Sequence, residues 1–102
     1  MAAAKTVYLV SNGDLRQPAC LNGWPLQKKT LAQVQKALKN LGYASEILPK
    51  FDTKRKHGFL SRQCEGTATF AKIDPDAPVI IVLNIWAYAH HVSGPLQTHR
   101  GP

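Results

Sequence analysis

Pro78-Val79-Ile80-Ile81-Val82-Leu83-Asn84-Ile85-Trp86 is an apolar run dense in β-branched residues, introduced by the turn-forming Asp74-Pro75-Asp76-Ala77. Its length and composition predict a strand, and the lack of apolar/polar alternation predicts one buried on both faces. The usual cover for such a strand is helices packed on a parallel sheet. The rest of the chain reads as supplying that cover.

Thr6-Val7-Tyr8-Leu9-Val10 predicts a second apolar strand, ended by the turn formers Ser11-Asn12-Gly13-Asp14. A loop is then expected to about Trp24. Pro25 suits the first turn of a helix, and Leu31, Val34, Leu38 and Leu41 recur at three- and four-residue steps. Lys28, Lys29, Lys36 and Lys39 fall mostly off that stripe and read as a solvated face, with Gly42 closing the helix. Ser45-Glu46-Ile47-Leu48 predicts a short edge strand stopped by Pro49. From Phe59, the residues Leu60, Cys64, Ala68 and Ala71 recur at helical spacing, and Ala87 to Val92 predicts a turn or two of helix broken by Ser93-Gly94-Pro95.

Alternation of strand and helix with right-handed crossovers predicts an α/β fold: three layers, α-β-α, around a short parallel sheet of order 2-1-3, the Rossmann/flavodoxin-like half of a doubly wound sheet. With three strands, residues 1–102 read as a single N-terminal domain or a fragment of a larger one. In that order the most apolar strand lies at an edge, whose unpaired backbone groups invite another strand. The segment from Pro95 to Pro102 and a second copy of the chain are the two available covers, and self-association through the third strand or the apolar surface beside it is expected.

The 102 residues suffice for one domain with a modest core. No stretch approaches the roughly 20 apolar residues that span a bilayer, and Met1 to Lys5 lacks the apolar centre of a secretory signal. A cytoplasmic protein without membrane contact is expected. Cys20 and Cys64 are too few for a zinc pattern and read as free thiols. Thirteen Lys and Arg against six Asp and Glu, a formal charge of +7, suit nucleic acid, an anionic ligand or an acidic partner equally.

Parallel sheets bind ligands beyond the carboxyl ends of their strands, at the switch point between oppositely directed connections. Here that point lies between the first and third strands. It sets Asn12, Asp14 and Arg16 opposite Asn84, Trp86 and His90, with Ser11, Gly13 and His91 beside them. These are the candidate substrate-binding residues; no catalytic and no metal-binding residue is assigned. Ser11-Asn12-Gly13 lacks the further glycines of a dinucleotide fingerprint, so no nucleotide cofactor is expected. His90 and His91 point about 100° apart on a helix and cannot share a metal without a third segment such as His99. Asp74 and Asp76 flank Pro75 in a turn at the far end of the sheet. Lys50 to His57, with Phe59 and Arg62 behind, interleaves basic and aromatic residues but reads better as a solvated loop than as a nucleic-acid surface.

Val7 to Asp14, the leucine-spaced helix ending at Gly42-Tyr43, and Val79 to Ala87 together resemble the N-terminal domain of the L-fucose and L-arabinose isomerase group. Asn84-Ile85-Trp86 followed by the Gly94-Pro95 and Gly101-Pro102 turns is the most particular part of the likeness, which spans most of the chain. The resemblance implies a manganese-dependent aldose–ketose isomerase as parent protein, its Mn2+ ligands in later domains and none in this chain. The N-terminal domain would pack against the remaining domains and neighbouring subunits, and Asn12, Asp14, Arg16, Asn84, Trp86 and His90 would help to wall the sugar site. Six scattered carboxylates offer no paired set for moving a proton, so the chain alone is expected to be inactive. The competing reading is a free-standing basic α/β module binding RNA or another polyanion through Lys50 to Arg62 and the helix lysines.

Overall fold

The computed structural model describes residues 6–13, 16–83 and 90–102. Six elements alternate among them: β1 (Val7–Ser11), α1 (Gln17–Asn40), β2 (Ser45–Leu48), α2 (Gln63–Phe70), β3 (Val79–Val82) and α3 (His90–Thr98). Both strand pairings are parallel and the order is β2-β1-β3, with Leu9 opposite Ile47 on one side and Ile80 on the other. The small parallel sheet of order 2-1-3 expected from the alternation is the observed fold.

The two-residue strand period sorts β1 between two cores. Val7 and Leu9, with Val82, pack on Leu31 of α1, flanked by Trp24, Val34, Leu38 and Ile47. Val10 points the other way, into a cluster with Leu48, Leu60, Ile73, Ala77 and Val92, on the side of α2 and α3.

Helix α1 opens eight residues before the expected start at Pro25, replacing the expected loop. Pro18 lies in its first turn, where N–H groups have no intrahelical acceptor, and Pro25 lies inside it. An interior proline forfeits a hydrogen bond and typically costs ~3 kcal/mol or more. The helix persists because its apolar stripe reaches further back than the leucines show: Cys20 and Trp24 continue it, and Gln27 occupies a buried position within it. Leu41, by contrast, is 73% exposed at the C-cap, and Gly42 closes the helix at φ +90. Lys28, Lys29, Lys36 and Lys39 are all exposed, as their positions off the stripe predict.

Residues 59–62 are not helical. Leu60 forms a parallel bridge to Asn12, its N–H donating to the Ser11 carbonyl (2.7 Å) while its own carbonyl accepts from Gly13 N–H (2.8 Å). It thereby extends the sheet on the β2 side, beyond the point where Pro49 ends that strand. Helix α2 begins only at Gln63. The expected break at Ser93-Gly94-Pro95 does not occur either, since α3 runs through it. Pro95 cannot donate to the carbonyl of His91 four residues back, and that carbonyl faces Gly66 of α2, where any Cβ would collide with it. The glycine that weakens α2 as an isolated helix is what lets the two helices pack closely.

Strand β3 is not covered on both faces: Ile80 is 38% exposed and Leu83, just beyond the strand, 58%. One helix about 10 Å across cannot roof three strands spaced about 4.8 Å apart, so α1 leaves part of the β3 face open. The carbonyls of Pro78 and Val82 bond to β1, which turns the backbone of Val79 and Ile81 outward. The C-terminal tail returns to this edge, where the Pro102 carbonyl accepts Val79 N–H (2.8 Å). Residues 84–86 of the apolar run, and 87–89 of the expected last helix, lie outside the described residues.

Candidate functional site at the carboxyl end of the sheet

Polar side chains gather where the parallel strands end. Ser11, Asn12, Gln27, His57, Ser61 and His91 are all buried. Strand alternation puts Ser11 on the α1 face and Asn12 on the α2–α3 face. On the α1 side the Gln27 carboxamide nitrogen donates to Ser11 Oγ (2.9 Å) and to the Val82 carbonyl (3.0 Å). A single side chain of α1 thus ties together the ends of β1 and β3, the two strands that border the switch point.

On the β2 side the place beyond the strand is filled by residues 57–61. Phe59 packs against Gly13, where a Cβ would strike its ring, and Trp24 meets Phe59 edge-on with ring centroids 5.5 Å apart. The N–H of Phe59 donates to His57 Nδ1 (3.1 Å), so Nε2 carries the ring proton and donates to Gln17 Oε1 (3.2 Å). The Gln17 amide nitrogen in turn donates to the Arg55 carbonyl (2.8 Å). Burial, and next the nearby Arg55 cation, push the His57 pKa below its usual value and keep the ring neutral.

Arg55 organises the turn that precedes this segment. Its Nε donates to Asp52 Oδ2 (3.0 Å), and its Nη1 to Ser61 Oγ (2.7 Å) and Glu65 Oε2 (3.0 Å). Burial works against the charge of Arg55, but the bond to Asp52 and the field of Glu65 outweigh it and raise the pKa. The backbone N–H of Arg55, followed by its side chain, holds Asp52 below the usual carboxylate range. Glu65 is also lowered: burial opposes ionisation, but the N–H of Ser61 (3.0 Å) and the Arg55 guanidinium prevail. Lys50 to His57 is therefore not a solvated basic loop throughout. Lys54 and Lys56 are exposed, whereas Arg55 is drawn inward by two carboxylates and His57 is buried.

The candidate substrate-binding residues are distributed unevenly. Asn12 is 1% exposed at the end of β1, and Arg16 is exposed at the N-cap of α1 on the same end. Asp14, Asn84 and Trp86 lie outside the described residues, and His90 is described only as the first residue of α3. His91, at the start of α3, is buried on the side of the sheet that Asn12 faces. His99 lies eight residues further on, about 12 Å along the helix axis, and its Nε2 donates to the Ala77 carbonyl (2.7 Å). Asp74 and Asp76 make the expected turn: Asp74 Oδ1 accepts Asp76 N–H (3.0 Å), and Asp76 pairs with Arg100 (3.1 Å). Neither Cys20, which is buried, nor Cys64, which is exposed, forms a disulfide among the described residues.

Sequence reading missed Gln17, Gln27, Arg55, His57, Ser61 and Glu65. Gln27 carried a signal, a polar residue in step with the apolar stripe of α1. The others are joined across 4 to 40 residues of sequence by a turn and two helix ends, and no local pattern marks them. Asp52 and Glu65 are committed to Arg55, and both nitrogens of His57 are engaged. Among the described residues no group of three His, Cys, Asp or Glu could hold a metal ion, and no helix is long and apolar enough to cross a membrane. Comparison with protein-family models, with curated proteins and with solved structures returns no significant match to this chain.

Proposed function

We propose that the chain is the N-terminal α/β unit of a ketol isomerase of the L-fucose/L-arabinose type, non-catalytic alone, whose strand-end residues wall a sugar site. Its outer faces would pack against the remaining domains and neighbouring subunits. The observation that supports this reading is the placement of two of the candidate residues, Asn12 at the end of β1 and the exposed Arg16 at the N-cap of α1, together at the carboxyl end of the sheet beside the switch point. Parallel sheets present polar ligands there. The described residues do not fit the Mn2+ of such an enzyme, so the ion and the carboxylates that move the proton between adjacent carbons are assigned to the rest of the parent protein.

The test is a titration of the isotope-labelled chain with L-fucose, L-arabinose and the corresponding polyols. Chemical-shift changes should concentrate at Asn12, Gly13, Arg16, Trp86 and His90, with the Asp74–Asp76 turn unaffected. No change at the strand ends at high sugar concentration overturns the site. Manganese-dependent turnover by the chain alone overturns its non-catalytic role. Tight RNA binding that discriminates between sequences at physiological salt would instead favour the basic-module reading, for which the exposed lysines of α1 speak.

A further inference from the structure

The two edges of the sheet are finished differently. The β3 edge receives the C-terminal tail. At β2, Val7 N–H donates to the Ala44 carbonyl, which by the alternation of a parallel ladder turns the backbone groups of Ser45 and Ile47 away from β1. Among the described residues, neither finds a hydrogen-bond partner there. Beside this edge runs a groove of about 570 Å³ between α1 and β2. Trp24 and Phe51 close one end with rings 5.7 Å apart, Phe51 more than half exposed; Lys28 and Leu31 form the middle.

We propose that the β2 edge and the α1–β2 groove form one docking site for an extended segment of a partner protein, carrying an apolar residue and, two residues away, a carboxylate. The edge supplies the main-chain half of the recognition, since a strand added beside β2 would satisfy the outward groups of Ser45 and Ile47. The groove supplies the side-chain half. Alternate residues of an added strand face the groove about 6.6 Å apart. Trp24 and Lys28 stand one helical turn apart, about 6 Å along α1. An apolar side chain against Trp24 and Phe51 therefore places its second neighbour beside Lys28.

Charge selects the occupant. Lys28 is exposed and has no carboxylate partner among the described residues. The second groove cation, Lys50, holds only a solvent-exposed pair with Glu46 (3.2 Å), of the kind that contributes little and is easily displaced. A second copy of this chain would bring another +7 to the same lysines, so an acidic partner is favoured over self-pairing.

The probe is the blocked peptide acetyl-Thr-Phe-Val-Asp-Thr-amide, with its lysine-for-aspartate counterpart as control. In the labelled full chain, the aspartate peptide should shift the amide signals of Ser45 and Ile47 and slow their hydrogen exchange. The lysine counterpart should bind about tenfold more weakly, because an attraction becomes a repulsion of similar size. Lys28→Glu, an exposed substitution that leaves the fold intact, should invert that preference. Four results would overturn the proposal: no binding, equal affinity for the two peptides, binding that leaves Ser45 and Ile47 unprotected, or protection of those amides that grows with protein concentration alone. Displacement of the peptide by an RNA oligomer, with a steep salt dependence, would reassign the surface to polyanions.

Discussion

Gln27→Met tests the tie that closes the sheet at its carboxyl end. Gln27 is fully buried, and the substitution keeps the length and nearly the volume of the side chain while removing bonds of 2.9 Å to Ser11 Oγ and 3.0 Å to the Val82 carbonyl. The packing contribution is thus held nearly constant. Each intramolecular hydrogen bond is worth about 0.5–1.5 kcal/mol net, so the loss of two amounts to about 1–3 kcal/mol. The Val82 carbonyl still accepts Asn12 N–H, at a long 3.3 Å, which limits the penalty for that acceptor. Gln27→Glu should cost more at neutral pH, because it buries a carboxylate oxygen against the Val82 carbonyl. Burial raises the pKa of such a carboxyl, so the folded variant gains its proton before the unfolded chain does. Its deficit relative to wild type should therefore shrink as pH falls through the raised folded-state value. Urea unfolding at several pH values, with the midpoint and slope both fitted, gives these differences. A Met variant within 0.5 kcal/mol of wild type, or a Glu deficit that ignores pH, would show that the amide does not hold β1 to β3.

Gly66→Ala should destabilise the chain by about 1–3 kcal/mol, the usual cost of overpacking, because the new Cβ meets the backbone carbonyl of His91 and not a side chain that can move; wild-type thermal stability would refute the close approach of α2 and α3. Acid should weaken the fold in two stages. The His57 pKa is lowered on folding, so the unfolded chain binds that proton first: stability is full above the ordinary histidine pKa of about 6.5 and falls as pH drops below it. The lowered carboxyls of Asp52 and Glu65 add a second loss below their ordinary values of about 4, and a stability profile flat from pH 7 to 5 would contradict the neutral, engaged His57. The exposed Ile80 and Leu83 beside the outward backbone of Ile81 make self-association at the β3 edge the expected behaviour. A monomer at every concentration, by light scattering after size exclusion, would show that the tail from Pro95 to Pro102 protects the edge sufficiently.

Alternation of apolar runs with helical periodicity was enough to determine an α/β chain with a parallel sheet of order 2-1-3, because right-handed crossovers leave few other ways to cover continuous apolar strands. The solvated lysine face of α1, the closure at Gly42 and the Asp74–Asp76 turn were legible for the same reason: each depends on residues within a turn or two of one another. Proline misled at both helices it touches. A local reading stops or starts a helix at Pro25 and Pro95, whereas burial of Cys20 and Trp24, and the packing of α3 on Gly66, carry the helices through. Only the tertiary structure decided that 57–61 is an extended plug beside Asn12 and that Arg55 turns inward. Those outcomes depend on Gln17, Ser61 and Glu65 meeting the 52–57 turn, contacts that exist only after the chain has folded. The half-open β3 face has a purely geometric origin: one helix is too narrow to roof three strands, and no property of Ile80 itself could reveal which strand would be left uncovered.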